Sequence, residues 1–147
     1  MFNKITMFLI LLVSVWQVGC ASVPMASVDA DKMRKEFSSP PQDMAGLYIY
    51  RNTMLGCALK KTIVIDGVII GETASMTYFY KDITPGHHDL STESEFSNNV
   101  LILNAESGNN YFVHQCMKMG VFVGGAKFEI VPEEKGKKGV LECKLAK

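Results

Sequence analysis

Three histidines and four cysteines carry most of the reactive chemistry in this 147-residue chain. His87 and His88 are adjacent and follow Pro85-Gly86 directly. Neighbouring strand residues point to opposite faces, so the two do not readily chelate one ion, and a solvated turn is the plainer reading. A small-ligand or metal site built on His87 and His88 is the alternative. His114 alternates with Phe112 and Cys116 in YFVHQCM (111–117). A hydrolase acting on envelope material would be built on it, with an Asp or Glu brought in by the fold. No serine has the strand-to-helix surroundings of a nucleophile elbow, and no cysteine pair has zinc-site spacing. The expectation is no catalytic residue, no metal and no cofactor. The run Gly120-Val121-Phe122-Val123-Gly124-Gly125 lacks the Lys-Ser or Lys-Thr of a phosphate loop and opens no helix. Val121, Phe122 and Val123 are either core or, if the glycines hold them out as a tip, a candidate interaction loop.

The N-terminus supplies the clearest address. Met1 to Lys4 is a short basic start, and Ile5 to Val18 is a nearly uncharged apolar run. It falls short of the roughly twenty residues a membrane span needs and fits the apolar part of an export signal. Gly19-Cys20 ends it, followed by Ala21-Ser22-Val23-Pro24, with Gln17 three residues before the cysteine. The junction resembles a bacterial lipobox, which implies that Cys20 becomes the lipidated N-terminus after removal of residues 1–19. Ala21 is not the Asp that such a resemblance ties to inner-membrane retention, so the expected location is the outer membrane, facing the periplasm. Lipid anchoring draws on about 0.8 kcal/mol per buried methylene.

With Cys20 assigned to lipid, three thiols remain, in a compartment that permits disulfides. The favoured pair is Cys57 with Cys143, both beside polar residues near strand ends. That bridge would close a loop of 86 residues, which contributes about 4–5 kcal/mol in the chain-entropy model. Cys57 with Cys116 is the second choice, and Cys116 is otherwise a buried free thiol.

These residues must be positioned by strands. Ile63–Ile65, Asp66-Gly67 and Val68–Ile70 read as strand, tight turn and strand, with Asp66 a turn-former rather than an acid catalyst. Further strands are read at 47–51, 77–81, 88–94, 100–105, 111–117, 126–131 and 139–145. Pro132 to Lys138 is read as a charged loop, and the last strand would place Leu141, Cys143 and Leu145 on one face. Tyr48, Tyr50, Tyr78, Phe79 and Tyr80 would form a cross-strand aromatic cluster. Asp29 to Phe37 reads as a short helix with Met33 and Phe37 on its apolar stripe, capped by Ser27 or Asp29. Ser38-Ser39-Pro40-Pro41 stops it. The expected class is therefore mainly β: an antiparallel β-sandwich of about eight strands, preceded by a signal or anchor helix and one short helix. Residues 1–19 form the signal, 20–45 a lipidated tether and 46–147 the sandwich. After residue 19 the balance is 14 basic to 15 acidic residues, which gives no electrostatic case for nucleic acid.

Several blocks in order carry a resemblance: GCASVPM (19–25), LYIYRN (47–52), IDGVIIGET (65–73), YFYKDITPGHH (78–88), STESE (91–95), GNNYFV (108–113), MGVFVGGA (119–126) and GKKGVLECKLA (136–146). The chain resembles the domain-of-unknown-function 2846 lipoproteins of Gram-negative bacteria. More distantly, IDGVIIGET with PGHH is similar to the PEGA-type β-sandwich repeat, which bears on fold alone. The resemblance brings no catalytic residues. Together with the lipobox it implies a non-enzymatic envelope lipoprotein that touches the membrane through its lipid and presents a face or loop to another envelope protein.

Overall fold

A computed structural model describes residues 19–94, 99–118, 120 and 124–147. Residues 1–18 of the segment read as an export signal, and Val121–Val123, lie outside the described residues. The described chain runs α1 (Val28–Arg34), β1 (Ala45–Arg51), β2 (Lys61–Ile65), β3 (Val68–Thr73), β4 (Thr77–Ile83), β5 (Gly86–Thr92), β6 (Asn99–Ala105), β7 (Asn110–Lys118), β8 (Gly125–Val131), α2 (Glu133–Leu141) and β9 (Lys144–Leu145). The strands form two sheets, ordered β8-β7-β1-β4-β9 and β3-β2-β5-β6.

The β2–β5 stretch forms as its residue types require. Ile63–Ile65 and Val68–Ile70 are β-branched, and Asp66 and Gly67 both take positive φ, 51° and 78°. That is the geometry of a two-residue hairpin turn whose twist matches its strands. β2 pairs antiparallel with β3 and β5, and β5 with β6. The other sheet is mixed. β1 and β7 are parallel neighbours, as are β4 and β9, because the chain crosses to the four-stranded sheet between β1 and β7. Period-two patterning reports which face is buried but not which way a neighbour runs, so this part of the antiparallel expectation is corrected.

Two apolar clusters hold the layers. Between the sheets lie Leu47, Ile49, Ile63, Phe79, Leu90, Leu103, Val113 and Phe128. Outside the five-stranded sheet, Tyr48, Tyr50, Tyr78 and Phe112 pack with Val140 and Cys143 under the helices. β1 is thus buried on both faces along its whole length. The tyrosines do cluster, with Tyr48 centred 4.7 Å from Tyr80 and 5.0 Å from Phe112. Phe79 is the exception: strand alternation sends it to the inner core. Burial pushes the Tyr48 and Tyr50 phenols up to about 12.

The C-terminal expectation is overturned. Glu133–Leu141 is a helix rather than a charged loop running into a strand. Gly136 and Gly139 lower helix propensity and hide the pattern, yet they are what let α2 lie flat. A Cβ at Gly136 would collide with the Phe112 side chain, and one at Gly139 with the Tyr50 ring. Cys143 and Leu145 are buried, but Leu141, on the helix, is 57% exposed.

α1 forms where expected, capped by Ser27, whose Oγ accepts from Ala30 N at 3.2 Å. Of the expected Met33–Phe37 stripe only Phe37 packs inward, and it lies beyond the end of α1. Met33 is exposed, and Ala30 and Phe37 pack against the tyrosine cluster. Asp31 fixes the helix to β9. Its carboxylate accepts from Leu145 N at 3.0 Å and Lys35 Nζ at 2.8 Å, and Lys35 also donates to Cys143 O at 2.6 Å.

Candidate functional site

The segment read as a tether is held against the domain. Ala21 N donates to Cys57 O at 2.8 Å, Lys147 N to Pro24 O at 2.9 Å and Ala26 N to Leu145 O at 3.0 Å. Met25 bridges Ala146, and Val23 is buried in the inter-sheet core. Cys20 is therefore one residue from its first backbone bond to the body.

Cys20 is also disulfide-bonded to Cys57. This corrects both expected pairings. Cys143 is a free, buried thiol enclosed by the tyrosine cluster, pushed up to about 12 by burial and by the Glu142 carboxylate. Cys116 is free as well, half-buried on β7. Cys57 lies instead on the connection between β1 and β2, with Met54 and Leu55 exposed beside it. That loop is braced from beneath by Arg51, a fully buried side chain. Its guanidinium donates to the carbonyls of Gly56 at 2.7 Å, Leu59 at 2.8 Å and Leu55 at 3.2 Å. Burial lowers the Arg51 pKa.

The two adjacent histidines part company. His87 is exposed, whereas His88 is buried, which corrects the reading of both as a solvated turn. His88 Nδ1 lies 2.7 Å from Asp66 Oδ2 and Nε2 lies 2.7 Å from Thr84 O. Asp66 Oδ1 also accepts from Asp89 N at 2.9 Å. Asp66 is thus both the hairpin's turn residue and a partner for β5. Burial disfavours the His88 imidazolium, but Asp66 and the Thr84 carbonyl outweigh it and raise its pKa. With both ring nitrogens engaged, His88 is not free to bind a ligand. A groove of about 320 Å³ lies elsewhere, beside the docked segment at Val23, Met25 and Ala74.

The outer face of β7 and β8 brings together residues that are distant in any linear reading. Alternation places Phe112, His114 and Cys116 on one side of β7. Register then sets Val131 opposite Phe112, Glu129 opposite His114 and Lys127 opposite Cys116. α2 covers this face as far as Phe112 and Tyr50 and leaves the rest at its margin. His114 stacks on Tyr50 at 4.9 Å and 16°. Cys116 Sγ lies 3.2 Å from His114 Nδ1 and 3.5 Å from Glu129 Oε2.

Burial, with Lys135 nearby, lowers the His114 pKa. Burial and the Glu129 carboxylate raise the Cys116 thiol. An activated cysteine–histidine pair has the opposite shift, a lowered thiol pKa. The carboxylate that a site on His114 would need is present as Glu129. The available signal was His-x-Cys on a strand, with an acidic residue at matching register on the next.

Fold and sites define a small, mainly β, two-sheet domain whose N-terminal segment is docked along its C-terminal edge. The chain belongs to the family described as Protein of unknown function (DUF2846), whose sequence profile matches residues 41–126. A Haemophilus influenzae protein, described as an uncharacterized protein, is 52% identical over 128 residues, covering 87% of this chain and 76% of that one. No solved structure matches. The profile takes in Arg51, Cys57, Asp66, His88, His114 and Cys116. Cys20, Glu129 and α2 fall outside it.

Proposed function

We propose that this chain is a lipid-anchored module of the bacterial envelope without catalytic chemistry of its own. Cys20 holds it at the outer membrane, facing the periplasm, and it offers a β-sheet surface to another envelope protein. The observation that carries this reading is the position of Cys20. It ends the apolar N-terminal run and stands one residue before the backbone bond from Ala21 to Cys57. A lipid there would hold the body close against the bilayer, with no free leash between them. Ile69, Val100 and Ile102, exposed on the outer face of the four-stranded sheet, support a partner-facing surface.

A thioether to lipid and a disulfide to Cys57 need the same Sγ atom, so each excludes the other. In the lipidated form Cys57 keeps its thiol beside the anchor. The disulfide favours a second reading, an exported domain whose N-terminal edge is stapled to its body. Peptide mass analysis of the chain recovered from membranes separates the two. The anchored reading expects an acylated peptide beginning at Cys20, and loss of membrane association in Cys20→Ser. A Cys20–Cys57 cross-linked peptide without acyl groups, in a chain found free of membranes, establishes the second reading instead.

A further inference from the structure

We propose that His114, Cys116 and Glu129 form a binding site for one borderline-soft divalent cation of the zinc type. The three ligand atoms lie within 4.8 Å of one another. Bonds of about 2.0–2.3 Å to N, O and S at tetrahedral angles require ligand atoms about 3.4–3.6 Å apart. The observed 3.2 Å from Sγ to Nδ1 and 3.5 Å from Sγ to Oε2 already approach those edges. The third edge, from Nδ1 to the Glu129 carboxylate, lies within 4.8 Å, and the exposed Glu129 side chain is the one that can turn to close it.

The scaffold favours that geometry. His114 and Cys116 come from one strand face, and Glu129 is directly opposite His114 in the antiparallel register. The imidazole plane is set by stacking on Tyr50, with Nδ1 turned to Cys116. With Nδ1 on the ion the ring proton sits on Nε2, which is buried and has no partner among the described residues. The mixed N, S and O donor set suits zinc rather than the all-oxygen shells of calcium or magnesium. Without an ion the contacts are weak, because a thiol is a poor hydrogen-bond donor. Among the described residues, no lysine reaches Glu129 at ion-pair distance, although Lys127 faces Cys116 across the strands and Lys135 is nearby.

On binding, Cys116 releases its proton to solvent and the sulfur joins the metal as thiolate. Three protein ligands leave a fourth position for water or another small ligand. That is the pattern of an exchangeable site rather than a closed structural one. The inference does not depend on the lipid anchor.

The test uses the full chain purified in detergent under a phosphine reductant and titrated with Co²⁺, then Zn²⁺. One equivalent of Co²⁺ should produce a thiolate-to-cobalt charge-transfer band that Zn²⁺ displaces. Cys116→Ser should abolish the band, while Cys57→Ser and Cys143→Ser should keep it. His114→Gln and Glu129→Gln should each weaken binding at least as much as the loss of an outer-shell partner, about 10–100-fold. Glu129 is exposed, so its variant is expected to fold, which circular dichroism checks. Absence of the band at one equivalent, its persistence in Cys116→Ser, or unchanged affinity in folded Glu129→Gln overturns the proposal.

Discussion

Asp66 Oδ2 and His88 Nδ1 lie 2.7 Å apart and tie the tip of the β2–β3 hairpin to the start of β5. The bond to His88 and the one from Asp89 N lower the Asp66 pKa, while the His88 pKa is raised. The signs fix a window. The histidine's contribution is fully present below its unfolded value of about 6.5 and is lost as pH rises through the higher folded value. The aspartate's contribution is present above about 3.9 and is lost as pH falls through the lower folded value. His114, with a lowered pKa, has the opposite sign and loses stability on acidification below about 6.5.

Comparing wild type with Asp66→Asn isolates the pair, because Asn tolerates the positive φ at this position. Asp66 is about half exposed, so solvent screening limits the effect to about 1 kcal/mol. Urea midpoints should show the variant weaker at pH 5.5 and the gap narrowing by pH 8. A gap that is flat with pH defeats this account of the pair.

Arg51 leads to a second prediction. Its guanidinium serves three carbonyls of the Cys57 loop and has no carboxylate partner among the described residues. Arg51→Met keeps the apolar stem but removes the donor from those three part-buried bonds. The expected loss is about 3 kcal/mol by urea unfolding, accompanied by faster amide exchange across residues 53–59. Unchanged exchange in that loop would show that Arg51 does not brace it.

The hairpin core of the fold was legible because its signals are local. β-branched runs around Asp66-Gly67, and Ser27 ahead of a charged turn, act within a few residues. What was missed depends on contacts made across the chain. Cys20 and Cys57 meet because the N-terminal segment docks along the C-terminal edge, and no spacing rule encodes that. His88 looked like a loop residue because its partner, Asp66, has a sufficient local explanation as a turn-former. The cluster at His114 needed the β7–β8 register before Glu129 could be placed. Phe112 and Tyr50 gave no sign that glycines would be chosen to pack on them.

Those glycines allow a test of sign. In an exposed helix, Gly→Ala stabilises by up to about 1 kcal/mol. Gly139 faces the Tyr50 ring and Gly136 the Phe112 side chain, with no room for a methyl. Overpacking costs about 1–3 kcal/mol, so Gly139→Ala should be net destabilising, and Gly136→Ala likewise. Thermal melts read both. A rise in Tm for either would mean that α2 does not rest directly on the sheet.

Under the proposed lipidation, the shared sulfur of Cys20 would make the stability of the domain depend on its processing. A disulfide to Cys57 closes a separation of 37 residues, which contributes about 4 kcal/mol in the chain-entropy model. Cys57→Ser should therefore cost about that much in a chain whose Cys20 is unmodified. It should cost nearly nothing in a chain whose Cys20 carries lipid, because no disulfide exists there to lose. Urea unfolding of the two forms, each with and without the substitution, measures four midpoints and one coupling. An equal loss in both forms would place the role of Cys57 in packing alone, whereas a loss confined to the unlipidated form assigns it to the bond with Cys20.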